Sequence, residues 1–564
     1  MRIDFEERTN KFVITCGYGE SAIVTGMPDR SYRKATRTWG APCLSRNLQY
    51  MKQHMNNPSM FTDKALEAYN NGLKALNQKN VIDTQFPIDT HPFKMPPMQH
   101  QIEAFNKFHN QDEIALLFEQ GMGKTYTSIN LAYHWYLTGK IDAVLVICPS
   151  AIKLVWNLEL DKHLPCKPNK HVLTAGKYKA AEQFIDDPTD DLKWMIMGVE
   201  GLSQGNGFDY AKWFMLHRKV LIIVDESSRI KTPSKNRTDR TITLGKNAKK
   251  RIILSGTSIT NGIEDWYTQF KFLNPNILGF NSFYTFRDYF CITQSIEVSE
   301  GRFVSKIVGY QHEDELVKAV APHTLRVEKK DAMDLPDKIF LNRYVTMNPA
   351  QKKMYKTMDE ALMIEYSGGE YSTDTSLERL LRLQQITGGF HPHDDGVRIQ
   401  VKPIAGKNPK VEETMALLDE IAGKVVIWCQ FRAEIDAIAE QLADSGINFV
   451  QFHGGCGDTQ KAFAVKAFQD DPTVKVFLAT RAGAYGLTLT SASYAIYYSQ
   501  GYSLEEYSQS QDRIHRIGQH DKCTYIHLLC EDTVDVDIMK ALQEKQDVAT
   551  YVYDTVKTNS EVQQ

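Results

Sequence analysis

The chain has 564 residues, a formal net charge of −3, 42% hydrophobic residues and 24% charged residues. This is ordinary globular composition, enough for roughly three to four domain-sized units with their own cores. It excludes a polycation: a nucleic-acid partner would have to be met by a local basic groove rather than by bulk charge. The nine cysteines are scattered singly, with no C-x-x-C pair, which predicts a reducing compartment. The start Met1-Arg2-Ile3-Asp4-Phe5-Glu6-Glu7 is acidic where a signal peptide needs an apolar core. Apolar runs such as Val220 to Val224 are far too short to span a bilayer. The expectation is a soluble, intracellular protein (cytoplasm, nucleoid or nucleus, or a host cell if viral) with no membrane partner.

Residues 1–90 read as a small N-terminal α+β accessory unit, with a strand at Lys11 to Thr15 and a helix from Ser59 to Leu76. Over 91–275 the texture changes to short apolar runs, each followed by turn residues. Ala143 to Cys148, Trp194 to Met197, Val220 to Val224 and Arg251 to Leu254 predict parallel strands with helices on both faces. Residues 276–405 read as a helical insertion and interlobe link. Its run Phe283-Tyr284-Thr285-Phe286 with Tyr289-Phe290 has helical spacing and suits a core. His391-Pro392-His393-Asp394-Asp395 has no further ligand near in sequence and reads as a solvated loop, not a metal site. Over 406–548 the α/β texture returns in Lys424 to Trp428, Val474 to Ala479 and Tyr494 to Tyr498. Residues 549–564 form a tail, polar and expected to fray after about 555. The fold class is α/β, with two tandem lobes.

The chemistry begins at Leu116-Leu117-Phe118-Glu119-Gln120-Gly121-Met122-Gly123-Lys124-Thr125, a strand, a turn and a helix start. Glycines let backbone N–H groups turn toward phosphate oxygens, and the helix N-terminus adds its positive end. Gly121, Met122, Gly123 and Tyr126 belong to this cradle. Lys124 is placed to meet the β- and γ-phosphates of ATP, and Thr125 to hold Mg²⁺. Phe118 stands where the general GxxxxGKT pattern has its first glycine. The strand Val220 to Val224 ends in Asp225-Glu226. Asp225 suits a second contact to the metal and Glu226 suits orienting an attacking water.

The whole set resembles superfamily-two helicase-like ATPases and, within them, the Swi/Snf family of DNA translocases. His100-Gln101-Ile102-Glu103-Ala104-Phe105 resembles the adenine-reading glutamine motif, with Gln101 as the glutamine and Gln99 as the fallback. Val144 to Ser150 with Trp156 and Glu159 resembles motif Ia, which touches the DNA backbone. Asp225-Glu226-Ser227-Ser228 occupies the DExH box. Ser228 stands where many relatives carry His, which puts in question the usual relay to motif III, here Leu254-Ser255-Gly256-Thr257-Ser258 with Asn261. Leu335-Pro336-Asp337-Lys338 resembles the link toward the second lobe. Thr480-Arg481-Ala482-Gly483-Ala484-Tyr485-Gly486-Leu487 resembles motif V. Gln509-Ser510-Gln511-Asp512-Arg513-Ile514-His515-Arg516-Ile517-Gly518-Gln519 resembles motif VI. Thr488 replaces the usual Asn.

The resemblance spans about residues 95 to 545 and implies two tandem RecA-like parallel-sheet lobes. ATP would be hydrolysed between them, with Lys124, Asp225 and Glu226 on one lobe and the arginine finger Arg516, beside Arg513, on the other. Gly486 and Gln509 would add nucleotide contacts. The expected motor moves on duplex or forked DNA, for remodelling, repair, fork processing or strand annealing. Met27-Pro28-Asp29-Arg30 with Trp39 and Pro42 resembles the small HepA-related-protein domain of annealing helicases, which implies a fork binder; the alternative is a cap that simply packs on the first lobe. Sequence-independent, salt-sensitive DNA contacts are expected from Ser150, Lys153, Gly198 to Ser203, Lys231, Arg237, Arg432, Thr480, Arg481 and Gly483. The alternatives are an RNA helicase, against which the motif VI form and the long insert argue, and a non-hydrolysing scaffold, against which the intact Lys124, Asp225, Glu226 and Arg516 argue.

Overall fold

The computed structural model describes residues 1–78, 90–256, 258–299, 302–332, 335–368, 373–394, 399–480, 487–516 and 518–561. The chain divides into two compact units, Met1–Thr293 with Ile307–Glu328 and Ala549–Gln564, and Gln294–Lys306 with Lys329–Val548.

The first unit opens with β1 (Arg2–Glu6), β2 (Lys11–Thr15), β3 (Ser31–Arg33) and β4 (Thr38–Pro42), in the antiparallel order β1-β2-β4-β3. The alternation in β2 buries Phe12 and Ile14 against Leu48 and Met51 of the helix Ser45–His54 and Ala65 of the helix Asp63–Gln78. This small sheet therefore has its own core. It is fastened to the rest of the unit by Ser45 Oγ donating to the Asn276 carbonyl (2.8 Å) and by Asn281 N–H donating to Asp29 (3.1 Å). The Arg46 guanidinium lies over the Phe280 and Tyr289 rings.

Six further strands follow: β5 (Glu113–Phe118), β6 (Ala143–Cys148), β7 (Asn169–Val172), β8 (Lys193–Gly198), β9 (Val220–Asp225) and β10 (Lys250–Leu254). After the hairpin β11 (Cys291–Ser299) and β12 (Arg302–Tyr310), β13 (Thr324–Val327) joins them. The parallel order is β13-β5-β10-β9-β6-β8-β7. β5, β6, β8 and β9 are buried along their whole length, as expected of a sheet covered on both faces.

The second unit holds β14 (Lys338–Val345), the hairpin β15 (Phe390–Asp394) and β16 (Ile399–Pro403), then β17 (Lys424–Cys429), β18 (Phe449–Phe452), β19 (Val476–Thr480), β20 (Ala492–Tyr497) and β21 (Cys523–Cys530). Its main sheet is parallel, in the order β14-β21-β20-β17-β19-β18. Period-2 alternation sends Val425, Ile427, Leu478 and Ile496 to one face, under the helices Pro409–Glu420 and Arg432–Asp444. Val426, Trp428, Phe477 and Tyr497 go to the other face.

Two expectations change. The stretch 276–405 is not one helical block: β13 completes the first sheet and β14 the second, so only part of it is insertion. The residues around His391 form a strand rather than a loop, because Phe390–Asp394 pairs in register with Ile399–Pro403; Asp395 lies outside the described residues. The start of the tail is helical, part of the helix Val534–Glu561. The aromatic run is a helix, Phe283–Phe290, that buries Phe286 and Phe290 in the core.

Candidate nucleotide and DNA site

In the first unit the chemistry sits at the carboxyl ends of neighbouring strands. Leu254 of β10 is in register with Leu116 of β5 on one side and Asp225 of β9 on the other. The loops that leave β5, β9 and β10 therefore emerge together, the place where open parallel sheets bind ligands. Gly121 (φ 87°) and Gly123 (φ 77°) adopt the left-handed conformation that turns this loop. A side chain at Gly123 would also collide with the Gln101 amide. The helix Lys124–Leu137 starts at the loop's end, with Thr125 in its first turn and Tyr126 sending its hydroxyl to the Met95 carbonyl (2.5 Å). Lys124 Nζ donates to the carbonyls of Phe118 (2.8 Å) and Glu119 (3.4 Å).

Gln101 is set directly on this loop. Its side chain accepts from Met98 N–H (2.9 Å) and donates to the Met122 carbonyl (3.4 Å), while His100 meets the same carbonyl at 2.8 Å. Gln99 instead donates to Glu103 on the exposed face. Of the two glutamines, Gln101 is the one that meets the loop.

Asp225 is buried, and burial pushes its carboxyl up; the Trp156 hydrogen bond, the Lys124 charge and the Glu226 N–H oppose that rise. The Trp156 indole N–H donates to Asp225 Oδ2 at 2.7 Å, and Glu226 N–H to Oδ1 at 2.9 Å. Glu226 adopts φ 50°, ψ 60°, a left-handed conformation unusual for a residue with a side chain. A carboxylate and a threonine hydroxyl flanking a phosphate loop are the hard oxygen donors that suit Mg²⁺.

A glutamine bridges the acid loop and the loop after β10. Ser227 Oγ donates to Gln269 Oε1 (2.6 Å), and Gln269 Nε2 donates to the Ser258 carbonyl (2.8 Å). Gln269 thus ties the acid loop to the loop after β10. The Asp265 carboxylate gathers the backbone N–H groups of Thr260 and Asn261, both at 2.9 Å. Thr257 lies outside the described residues.

In the second unit, the link residues hold the arginine segment. Lys329 Nζ donates to Asp512 Oδ1 (2.5 Å) and to the His515 carbonyl (2.7 Å), Lys338 donates to Gln511 (3.2 Å), and His515 meets the Pro336 carbonyl (2.8 Å). Burial alone would raise the Asp512 carboxyl, but Lys329, Lys338 and Arg513 outweigh it and hold the group below its ordinary value. Arg513 and Arg516 both donate to the Leu487 carbonyl (3.3 and 3.4 Å), and Arg516 also reaches the Thr488 hydroxyl (2.8 Å). The threonine that replaces the usual Asn therefore meets the arginine. Gln509 is buried and donates to Glu505 (3.4 Å). Gly486, Arg481 and Gly483 lie outside the described residues.

The expected DNA contacts fall into separate places. Ser150, Lys153, Gly198, Glu200 and Gly201 line one cavity of about 210 Å³ at the ends of β6 and β8. Ser150 Oγ donates to Glu200 (2.7 Å) and Lys153 to the Leu173 carbonyl (3.3 Å). Lys231 has a different partner from the one expected: its ammonium meets Asp265 (3.3 Å) and Thr260, so its charge is already neutralised within the protein. Arg237 stands in the first turn of the helix Asn236–Gly245. In the second unit, Arg432 is 66% exposed at the start of its helix, and Thr480 ends β19.

Two parallel sheets, one carrying a phosphate loop with an acid pair and the other a buttressed arginine segment, define a two-lobed nucleotide-binding protein of the helicase-like class. The chain belongs to the SNF2-related family: the SNF2-related domain matches residues 49–389, and the helicase conserved C-terminal domain matches residues 407–518. Among curated relatives it is 25% identical over 481 residues to the Mus musculus chromodomain-helicase-DNA-binding protein 1-like, covering 80% of this chain and 49% of that protein. It is 26% identical over 497 residues to the Saccharomyces cerevisiae nuclear protein STH1/NPS1, covering 81% of this chain and 34% of that one. A Caenorhabditis elegans homolog of SWI/SNF-related matrix-associated actin-dependent regulator of chromatin subfamily A-like protein 1 is 23% identical over 552 residues, covering 93% of this chain and 72% of the relative. The chain thus spans half or less of the first two relatives. The Sulfolobus solfataricus SWI2/SNF2 ATPase core in complex with dsDNA is 24% identical, with 85% of this chain and 97% of that chain covered and a TM-score of 0.38.

Sequence reasoning missed the second layer of the site. Trp156 was legible as part of a motif but not as the donor to Asp225, and Gln269 carried no local signal at all.

Proposed function

We propose that this protein is a DNA-dependent ATPase that translocates on duplex or forked DNA without reading sequence, in remodelling, repair, fork processing or annealing. The observation that carries the reading is the register of β5, β10 and β9, which sets Lys124 and Asp225 close enough for the lysine's charge to bear on the carboxyl.

In this reading Lys124 and the Gly121–Thr125 backbone bind the ATP phosphates, Gln101 orients the base, and Glu226 positions the attacking water. Thr125 and Asp225 would hold Mg²⁺, which neutralises phosphate charge when bound. Arg516, with Arg513, is the group we assign to the charge that develops on the transferred phosphoryl; its fork cannot lose its proton. The N-terminal unit is proposed as a branched-DNA contact. Arg46, Lys52 and Lys318 line a cavity of about 860 Å³ beside it, with Glu315 as its acidic lining residue.

The test is ATP hydrolysis with no nucleic acid, single-stranded DNA, duplex, forked DNA and RNA. Stimulation by duplex or fork is expected. Equal rates in all five refute the DNA motor, and stimulation by RNA alone moves the assignment to an RNA helicase. Triplex displacement then separates tracking from strand separation.

A further inference from the structure

We infer that Trp156 is a positioning residue that couples the DNA-facing loop around Ser150 and Lys153 to the metal-holding carboxylate of Asp225; the inference rests on the ATPase reading above. Trp156 lies in the helix Lys153–His163, three residues after Lys153. Its ring is 1% exposed, so it cannot turn without disturbing the packing around it. The indole N–H only donates, so its 2.7 Å bond to Oδ2 favours the ionised, acceptor form of Asp225 and fixes its orientation.

The same helix reaches a second part of the nucleotide site. His163, at its far end, packs edge-on against Tyr126 at 5.1 Å between ring centroids, two residues beyond Lys124. Its near end emerges from the short turn Ser150–Ile152, where Ser150 meets Glu200 from the end of β8. One helix thus has its first residue in the proposed DNA-contact cavity and its inner face on both the acid box and the phosphate-loop helix. A hydrogen bond weakens steeply with angle and length. A small tilt of this helix when phosphates engage Ser150 and Lys153 therefore changes how well Asp225 is held. Such coupling is reciprocal, so metal-bound nucleotide must alter DNA affinity by the same factor.

Trp156→Phe keeps a buried ring and removes the donor. Equilibrium binding of ADP to the full chain is measured with Mg²⁺ and with a chelator, each with and without a saturating random-sequence duplex. The variant is expected to match wild type in metal-free ADP affinity. Its Mg²⁺-dependent gain in affinity should fall about tenfold, the scale of one hydrogen bond to a charged group, and the DNA-induced change in Mg²⁺–ADP affinity should largely vanish. Retention of both effects overturns the inference, as does an equal loss of metal-free binding, which marks a purely structural role. Lys153→Ala probes the other end of the helix: it should keep the Mg²⁺-dependent gain and lose the DNA-induced change. A wild-type DNA effect in that variant also overturns the coupling. Wild-type protein that binds no ADP would instead overturn the nucleotide reading itself.

Discussion

Glu434 gives a sharp test of the electrostatics of the second lobe. Its carboxyl is buried behind β17, where Oε2 accepts from Ser499 Oγ (2.6 Å), Phe431 N–H (3.0 Å) and Gln430 N–H (3.1 Å). Burial dominates over these bonds and over the Lys410 charge, and pushes the group from 4.5 up to about 7. Nearby, Lys410 is paired with Asp535 at 2.7 Å, and the Tyr498 hydroxyl is held far above its ordinary range. Because the folded value lies above the unfolded one, the folded state holds the proton more tightly. The resulting stability is fully present below pH 4.5 and is lost as pH rises through about 7. The difference of about 2.5 units at 1.36 kcal/mol each amounts to roughly 3 kcal/mol. Glu434→Gln keeps an acceptor for the three donors and cannot ionise. Urea unfolding, followed by hydrogen exchange of the peptide Lys424–Cys429, should show the wild type losing about 3 kcal/mol relative to the variant between pH 4.5 and 8. Parallel pH profiles for the two proteins would refute the reasoning.

Arg516→Ala should lower ATP turnover by about 10³–10⁵ while ATP still binds; wild-type turnover in a steady-state assay rejects it as the finger. Gln269→Leu leaves the buried Ser227 hydroxyl and Ser258 carbonyl without their partner, at about 1–3 kcal/mol each. Ser228→Ala removes a buried hydroxyl that has no hydrogen-bond partner among the described residues and should be nearly neutral. Equal losses of thermal stability in these two variants would exclude the Gln269 relay. Duplex affinity should fall linearly on a log–log salt plot, and Arg432→Ala should flatten that slope by about one unit if it meets a phosphate. Lys329→Met removes the nearer ammonium from buried Asp512, leaving Lys338 at 3.7 Å, and should cost about 1.5–3 kcal/mol, measured by urea unfolding, with Asp512→Asn in the same chain restoring much of it.

The strands legible in the sequence are those whose residues are apolar throughout. Ala143–Cys148 and Val220–Asp225 were readable because burial on both faces demands uninterrupted Val, Leu and Ile. In the two parallel sheets, Asn169–Val172, Phe449–Phe452, Thr324–Val327 and Lys338–Val345 are among the strands that the sequence pattern does not reveal. All four lie at sheet edges, where one side is solvated and the local pattern weakens. Cys523–Cys530 is buried throughout, yet its mixture of Thr, Tyr and His hid it. At the site, glycines and charged residues advertise themselves because few other residue types can turn a loop around phosphate or hold a metal. Their supports do not: a tryptophan, a glutamine and two lysines are ordinary until the fold brings them to a buried ion.

That asymmetry has a physical cause. A buried carboxylate must be compensated, but the compensating donor can come from any element the fold brings near. Asp225 takes its donor from the helix after β6, and Asp512 takes its ammonium groups from the segment leading into β14. The motif residues are therefore constrained by chemistry, whereas their partners are constrained only by position. Next to Ser228, the acid loop and the loop after β10 are joined through Gln269 from another helix. The Thr488 hydroxyl likewise serves Arg516, a donor brought to it by a later segment of the chain. In each place the partner is set by position in the fold and not by the local motif.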